Sequence, residues 1–495
     1  MRSDIFTKLS KHINKNKLVY GLLYVLLASG LLILLFYNHF YDDPFITYRY
    51  ALNLARGGGF VFNPELRVQS TTTPLFALIL AVVYPLWSDI PHSAVLIGAL
   101  SLPLGAVFLW SLANSLGVPV VAWLGLLLYP TFPLLIATIG SETPLYLAFC
   151  LGAYTVYSRQ KYSGAAVFSA LAVLTRPDGF LIPAILGLHY LLIIRKPVPW
   201  KSVLLFLALT MPWFIFSWTY FGTPIPATLF AKQQQGTMAI SQRFAPGLAT
   251  IIKPYFGRWQ FWLQSILALT GLGYLVVRAR QWLPFFLWPL TYFLAFSVSG
   301  VSRYYWYYVP LVPGFVVLVG LGFCAIQGLI QIHQPQSQKM VSEKNFVSKV
   351  IASGITLALL TGSITGLLDL ARRSDPRYQI YKAAGEWINN NTPSSASLGT
   401  LEAGIIGFYA DRPLIGFAGL IQPDVASQLK KESTYQDSAI WAVEQYQPDN
   451  LVLQKGNFPA LEGGYAARYC QVVKGLSGAD YGYRQDIDIY SCSAP

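Results

Sequence analysis

Charged residues are scarce in this chain. Asp, Glu, Lys and Arg make up only 12% of its 495 residues, whereas hydrophobic residues make up 54% and the mean hydropathy is +0.47. A typical soluble domain is about one quarter charged, so this composition excludes an ordinary soluble globular protein. Repeated apolar segments of roughly twenty residues instead predict a polytopic α-helical membrane protein.

Acidic residues are fewer still, 22 against 35 basic ones, which gives a net charge of +13. Such an excess could indicate nucleic-acid binding, but the basic residues are scattered over short loops and the N-terminus, and no nucleic-acid-binding motif is present. Their distribution fits the positive-inside rule and contact with anionic lipid. The sequence therefore predicts membrane lipid, and not nucleic acid, as a partner.

Cysteine is also rare, with four residues. Cys150 and Cys324 lie in apolar runs and are interpreted as inert core residues. Cys470 and Cys492 lie on two predicted strands near the C-terminus, where a disulfide can form if that region is extracytoplasmic. The cysteine spacing indicates no metal site.

The apolar runs define a predicted topology. A basic N-terminus precedes an uncleaved anchor at Leu18–Tyr37, and the region 74–116 is expected to cross the membrane once. The further predicted spans are Val118–Ile139, Pro144–Tyr157, Ala165–Leu174, Phe180–Ile194, Val203–Tyr220, Phe261–Val277, Leu283–Val298, Tyr304–Ala325 and Val350–Leu368. This gives about eleven spans, with the basic loops and a polar linker at Gln327–Lys349 in the cytoplasm and the loop 38–73 outside.

The composition changes after Leu370, where charged residues become frequent. Residues 1–370 are therefore read as the membrane domain and 371–495 as a small extracytoplasmic α/β domain. Its predicted helices are Asp375–Asn390, Asp424–Lys431 and Ser438–Tyr446, and its predicted strands are Ser397–Thr400, Asn450–Gln454, Ala467–Val473 and Arg484–Tyr490.

A pair of carboxylates, Asp42 and Asp43, directly follows the first span. Carboxylates at the end of a membrane span are energetically unfavourable where they face lipid, but they are common at a water-filled cavity. In such a cavity, one of the two can act as a general base. The alternative is that one of them caps the next helix, with Pro44 in its first turn. The two roles do not exclude each other, and we favour Asp42 as the base and Asp43 as the cap.

Further polar motifs fall on the same predicted side. Each has a structural alternative: Glu142 lies in a capping turn before Pro144, and Arg176 and Asp178 can simply pair with each other. The other outward-facing candidates are Arg49 in the first loop, Lys232 in the loop Phe221–Gln260, and Arg303 with Tyr304 at a span end.

The string DDPFITYRYALNLARGGGFVFNPELRVQSTTTPLF resembles the first external loop of a bacterial group of GT-C glycosyltransferases, which includes the mycobacterial arabinofuranosyltransferases. The turns Gly140–Thr143 and Arg176–Gly179, and a pattern from Tyr220 to Lys232, also match that group. The chain departs from the group's pattern at Gln69, Thr72, Thr73 and Ser141. Gln69 stands where the group often has an acid.

The resemblance implies the GT-C fold and an inverting transfer of a sugar from a polyprenyl-phosphate donor to a glycan, lipid or protein acceptor. Such a transfer needs a base, for which Asp42 and Asp43 are the candidates, and donors for the leaving phosphate. The candidate substrate-binding residues are Arg49, Glu142, Arg176, Asp178, Lys232, Arg303 and Tyr304. A divalent cation beside Asp42 and Asp43 is left open, as are a transporter and a non-catalytic flippase or scaffold of lipid-linked sugars. The implied location is the bacterial plasma membrane, with the site outside.

Overall fold

The computed structural model describes residues 2–64, 66–332, 338–373 and 375–493. Its first part is helical. The helices are α1 (Arg2–Phe36), α2 (Pro44–Ala55), α3 (Pro74–Val83), α4 (Ile90–Ser115), α5 (Pro119–Leu128), α6 (Pro133–Ile136), α7 (Thr143–Ser158), α8 (Tyr162–Thr175), α9 (Leu181–His189), α10 (Trp200–Phe221), α11 (Ala227–Thr237), α12 (Phe244–Ile252), α13 (Trp259–Arg278), α14 (Leu283–Ser299), α15 (Val312–Ile332) and α16 (Gln338–Ala371).

Eight helical segments of the described residues are long and apolar enough to cross a membrane. They are Leu18–Phe36, Ile90–Ser115, Pro177–Ile194, Trp200–Phe221, Trp259–Arg278, Arg280–Ser299, Tyr305–Gly328 and Val350–Ala371. Three shorter apolar helices, α3, α5 and α8, lie where the sequence predicted further apolar segments. In the region 74–116, only α4 is long enough to span, which agrees with a single crossing.

Two predicted segments are wrong in their extent. The run Val118–Ile139 is not one helix, because α5 ends at Leu128 and α6 begins only at Pro133. Pro130 and Pro133 explain the break, since a proline removes a backbone donor and disfavours the helical conformation before it. The linker 327–349 lies partly outside the described residues, and its described parts belong to α15 and α16 rather than to a loop.

Glycine allows close helix packing at the crossing of α13 and α15. A Cβ atom on Gly271 would lie 1.9 Å from the carbonyl oxygen of Leu318, and one on Gly322 would lie 1.8 Å from that of Leu267. Any larger residue would therefore push the two backbones apart. Small residues at such crossings are typical of helices that pack within a membrane.

The C-terminal part is an α/β domain with one five-stranded sheet in the order β2-β1-β3-β5-β4. The strands are β1 (Leu398–Thr400), β2 (Leu414–Gly416), β3 (Asn450–Gln454), β4 (Cys470–Leu476) and β5 (Ile487–Cys492), and the helices are α17 (Arg377–Asn391), α18 (Ile405–Ala410), α19 (Pro423–Ala426), α20 (Tyr435–Tyr446), α21 (Pro459–Leu461) and α22 (Ala467–Tyr469). Strands β2, β1 and β3 are parallel, and β5 pairs antiparallel with β3 and β4.

Much of this domain was predicted, but strand β2 and helix α18 were missed. The predicted strand Ala467–Val473 begins as the helical turn α22, and the predicted helix Asp424–Lys431 is only the single turn α19. The Ser427 hydroxyl donates to the backbone carbonyl of Asp424 at 2.6 Å, a local bond of the kind that competes with helix propagation. A disulfide joins Cys470 and Cys492 on the paired strands β4 and β5.

The C-terminal domain packs directly on the first loop. The side-chain amide of Asn63 donates to the carbonyl of Leu414 at 2.7 Å and accepts from its N–H at 2.8 Å. Arg49 pairs with Asp411, and the carboxyl group of Asp42 accepts from the N–H of Ile405. The loop and the C-terminal domain therefore lie at the same end of the helical part.

Candidate active site

A cavity of about 660 Å³ opens between the first loop, the helical part and the C-terminal domain. Its wall combines polar side chains with aromatic and aliphatic ones, and Leu420 of the C-terminal domain contributes to it. Five of the nine side chains predicted for the site line this cavity: Asp43, Glu142, Arg176, Asp178 and Lys232. They come from four separate stretches of sequence, which the fold brings together.

Asp43 and Lys232 form the first charged pair of the cavity. The Lys232 Nζ lies 3.6 Å from Asp43 Oδ1, and the lysine side chain is only 7% exposed. The ammonium group also lies 3.6 Å from the centroid of the Tyr304 ring, so a cation–π interaction contributes to its position. The separation from Asp43 exceeds a normal hydrogen bond, which leaves Lys232 able to bind another anion.

Arg176, between α8 and the segment that begins at Pro177, forms the second charged group. Its Nε donates to Asp178 Oδ1 at 2.9 Å, and its Nη1 donates to Glu142 Oε1 at 3.1 Å and to Thr143 Oγ1 at 3.3 Å. Desolvation raises the pKa of the Glu142 carboxyl despite the neighbouring Arg176. The guanidinium is thus held by two acids at the cavity wall, a rigid placement suited to binding phosphate oxygens.

Asp42 does not line the cavity. Its Oδ1 accepts from the N–H of Ile405 at 2.7 Å, and its Oδ2 accepts from the N–H of Gly404 at 3.2 Å, so the carboxyl group binds the start of α18. Desolvation, followed by the negative charge of Glu402, raises the pKa of Asp42 to about 7. Of the two aspartates, Asp43 is the one that faces the space where a substrate could bind.

The interpretation of the pair as a side-chain cap of α2 is wrong. Asp43 occupies the N-cap position, but its side chain makes no capping hydrogen bond. Asp42 caps a helix that lies more than 350 residues later in the chain. Nothing in the local sequence could indicate that partner.

The structure places the other three predicted side chains outside the cavity wall. Arg49 is buried and bonds to Asp411 and to the carbonyl of Phe62, so it joins the first loop to the C-terminal domain. Arg303 packs against Gly247. Tyr304 donates its hydroxyl to Gln235 Oε1 at 2.8 Å and reaches the site only through Lys232.

The residues do not fit a divalent cation between Asp42 and Asp43. Both oxygens of Asp42 accept backbone N–H groups, and Asp43 faces an ammonium group. A hard cation needs several oxygen ligands directed at one point. Among the described residues, no cluster of three or more His, Cys, Asp or Glu could supply them.

Several cavity residues were not predicted as site residues. They are small, polar and uncharged, and include Thr47, Ser70, Thr71, Thr73 and Thr228. The sequence signals for them were the run of hydroxyl residues before Pro74 and, for Thr228, the matched pattern from Tyr220 to Lys232. The resemblance marked Thr73 only as a departure from the group's pattern. Gln69 also lines the cavity, and its Oε1 accepts from the Ser217 hydroxyl at 2.7 Å.

Comparisons with known proteins support the architecture. Residues 370–490 match a family described as "Domain of unknown function (DUF8728)", and curated protein sequences give no match. ArnT from Cupriavidus metallidurans, solved with undecaprenyl phosphate, is 18% identical with a TM-score of 0.58, covering 95% of this chain and 98% of that one. The Archaeoglobus fulgidus oligosaccharyltransferase is 14% identical with a TM-score of 0.59, covering 96% and 74%.

These likenesses extend over nearly the whole chain, so the protein has the GT-C fold of membrane glycosyltransferases. The predicted fold class is thereby confirmed. A mycobacterial arabinofuranosyltransferase, AftD, is also similar at 14% identity, covering 95% of this chain and 40% of that one. Its TM-score is 0.46.

Proposed function

We propose that this protein is an inverting glycosyltransferase that moves a sugar from a polyprenyl-phosphate donor to a cell-surface glycan, lipid or protein. The observation that carries the proposal is the cavity in the GT-C fold where Asp43, Arg176 and Lys232 meet. It combines a carboxylate for proton removal with two cations for a phosphate. ArnT, which shares the fold, was solved with undecaprenyl phosphate bound.

In the proposed reaction, an acceptor hydroxyl attacks the anomeric carbon of the sugar while the bond from that carbon to the phosphate oxygen breaks. Asp43 accepts the proton of the attacking hydroxyl. The leaving polyprenyl phosphate takes the electron pair of the broken bond, and Arg176 and Lys232 stabilise its negative charge. Glu142 and Asp178 keep the Arg176 guanidinium in place through the bonds described above.

Lys232 contacts the proposed base and is also assigned to the phosphate of the donor. Before the donor binds, its charge neutralises Asp43 across 3.6 Å. A donor phosphate would draw the ammonium group towards itself, because a phosphate carries more charge and more acceptor oxygens than a carboxylate. Asp43 then loses its cationic neighbour, and its carboxylate oxygen can accept the hydrogen bond and the proton of the acceptor hydroxyl.

We also propose that the cavity and the C-terminal domain lie on the outer face of a bacterial plasma membrane. The basic loops fit a cytoplasmic location for the opposite end. The Cys470–Cys492 disulfide supports an oxidising compartment for the domain that packs on the site.

The test is the release of free polyprenyl phosphate. Purified protein in detergent is given a polyprenyl-phosphate sugar with a labelled sugar, together with cell-envelope acceptors, and free lipid phosphate and labelled acceptor are measured. We expect both products from the native protein and neither from the Asp43→Asn variant. Donor binding without release would favour the transporter or scaffold alternatives and overturn the enzyme assignment.

A further inference from the structure

Part of the cavity lining consists of hydroxyl side chains, here called the hydroxyl wall: Thr47, Ser70, Thr71, Thr73 and Thr228. Each of these residues is at most 7% exposed. None of the five carries a charge, in contrast to the acids and cations that line the same cavity. A concentrated group of buried hydroxyls is suited to binding a ligand with many hydroxyl groups of its own.

Three of the hydroxyls form a closed triangle. Thr47 Oγ1 lies 3.0 Å from both Thr71 Oγ1 and Thr73 Oγ1, and these two lie 3.1 Å apart. A hydroxyl has one donor and two acceptor positions. The three donors used within the triangle occupy three of its six acceptor positions, and Thr71 Oγ1 also accepts from the backbone N–H of Thr73 at 3.2 Å. Two acceptor positions therefore remain, and they can bind hydroxyl donors of a ligand.

The other two hydroxyls of the wall belong to Ser70 and Thr228. Ser70 Oγ and Thr228 Oγ1 are buried and have no hydrogen-bond partner among the described residues. An unsatisfied buried hydroxyl is destabilising, and a ligand in the cavity that forms hydrogen bonds with both would remove that cost. Both residues line the cavity.

The wall borders the groups assigned to the reaction. Thr47 follows Asp43 by four residues in α2, and Thr228 precedes Lys232 by four residues in α11. Residues with this spacing are neighbours on one helix face, about 5–6 Å apart. The wall therefore borders both Asp43 and Lys232, which lie 3.6 Å apart. In the proposed reaction, the sugar ring lies next to both groups, because Asp43 acts on the hydroxyl that attacks its anomeric carbon and Lys232 on the phosphate bonded to that carbon.

We infer that the hydroxyl wall binds the donor sugar and that the transferred sugar is uncharged. This inference rests on the proposed function and specifies its substrate class. The five wall residues offer no cation to a uronic acid and no acid to an amino sugar. The bordering Asp43 and Lys232 are engaged by the acceptor hydroxyl and the phosphate in the proposed reaction. The burial of an unpaired charge among neutral groups is costly, whereas a neutral sugar satisfies the open hydroxyl positions.

The experiment compares binding of four ligands to the full-length protein in detergent: polyprenyl phosphate alone, and polyprenyl phosphate carrying a neutral sugar, an amino sugar or a uronic acid. The variant is Thr228→Val, which removes an unpartnered hydroxyl at nearly constant volume. The control is Thr356→Val, at an exposed site where the hydroxyl bonds only to its own helix.

We expect the neutral-sugar donor to bind more tightly than polyprenyl phosphate alone, and both charged-sugar donors to bind less tightly than the neutral one. Thr228→Val should weaken the neutral-sugar donor about 3- to 10-fold, the effect of one neutral hydrogen bond, and leave polyprenyl phosphate unchanged. Equal binding of charged and neutral donors, or an equal effect of Thr228→Val on both lipids, would overturn the inference. If no lipid phosphate binds at all, the proposed function itself fails.

Discussion

Lys232 lies 3.6 Å from Asp43, and it comes from α11, far from the first loop in sequence. The same ammonium group lies 3.6 Å from the centroid of the Tyr304 ring. This pairing distinguishes the two adjacent aspartates and favours Asp43 as the base, whereas the sequence had favoured Asp42. Asp43 faces the ammonium group of Lys232, and Asp42 binds the backbone of the C-terminal domain.

Asp43→Asn should abolish sugar transfer, with a loss of about a hundred- to ten-thousand-fold, because an amide cannot accept the proton of the acceptor hydroxyl. The measurement is release of polyprenyl phosphate under saturating donor. Donor binding should remain, since Asn leaves Lys232 in place. The matched control is Asp42→Asn at the neighbouring position, for which transfer should stay within about ten-fold of the native rate. The opposite pattern would make Asp42 the base.

Asp42→Asn should reduce the pH dependence of stability. The pKa of Asp42 is raised to about 7 in the folded protein, above the ordinary value of about 3.9. The folded state therefore binds this proton more tightly, and the resulting stability, complete below about pH 4, is lost as the pH rises through about 7. We expect the native protein to melt at a lower temperature at pH 8 than at pH 5, and the uncharged Asn variant to show a smaller difference.

The control for this measurement is Glu444→Gln, which removes a carboxylate at an exposed position of α20. Its melting curve should follow that of the native protein at every pH. A steeper pH dependence in Asp42→Asn would show that the carboxyl group of Asp42 is ionised and stabilising at neutral pH.

Arg176→Ala should reduce turnover more than Arg176→Lys does. Lysine keeps the positive charge but lacks the planar guanidinium group that binds two phosphate oxygens. The Ala variant also leaves two buried acids without a cation, which is expected to destabilise the fold. Turnover and donor affinity are therefore compared at a temperature at which both variants remain folded by melting analysis. Unchanged donor affinity and turnover in both would make Arg176 only a structural partner of Glu142 and Asp178.

Lys232→Met should weaken polyprenyl-phosphate binding about ten- to hundred-fold, the effect of one charged hydrogen bond. Methionine is similar in length to lysine but has no charge. Lys253→Met, at an exposed lysine outside the cavity, should leave the affinity unchanged. A Lys232→Met variant that keeps full affinity but loses turnover would assign Lys232 to Asp43 alone and not to the phosphate.

The sequence predicted what depends on local pattern. The fold class, the end of the first span and most of the C-terminal strands follow from hydrophobic runs and strand propensity. The sequence favoured Asp42 as the base and Asp43 as the cap, whereas Asp43 makes no side-chain capping bond and it is Asp42 that binds a helix start. The sequence could not indicate this, because the arrangement depends on the N–H group of Ile405 and the ammonium group of Lys232. Arg49 was assigned to the substrate for the same reason, since its partner Asp411 is 362 residues away.

The last prediction concerns which side of the membrane holds the site. The first loop and the C-terminal domain share hydrogen bonds through Asn63 and Asp42, so they must lie on one side, and the disulfide favours the outside for both. A cysteine introduced at the exposed Ser427 should therefore react with an impermeant thiol reagent on intact cells. One introduced at Lys196, in a basic exposed loop, should react only after permeabilisation. The unsubstituted protein is the control, because its free cysteines, Cys150 and Cys324, lie within helices α7 and α15.

Labelling of Lys196→Cys from outside would show that the protein has the opposite orientation in the membrane. The cavity would then face the cytoplasm, and a cell-surface acceptor would be excluded.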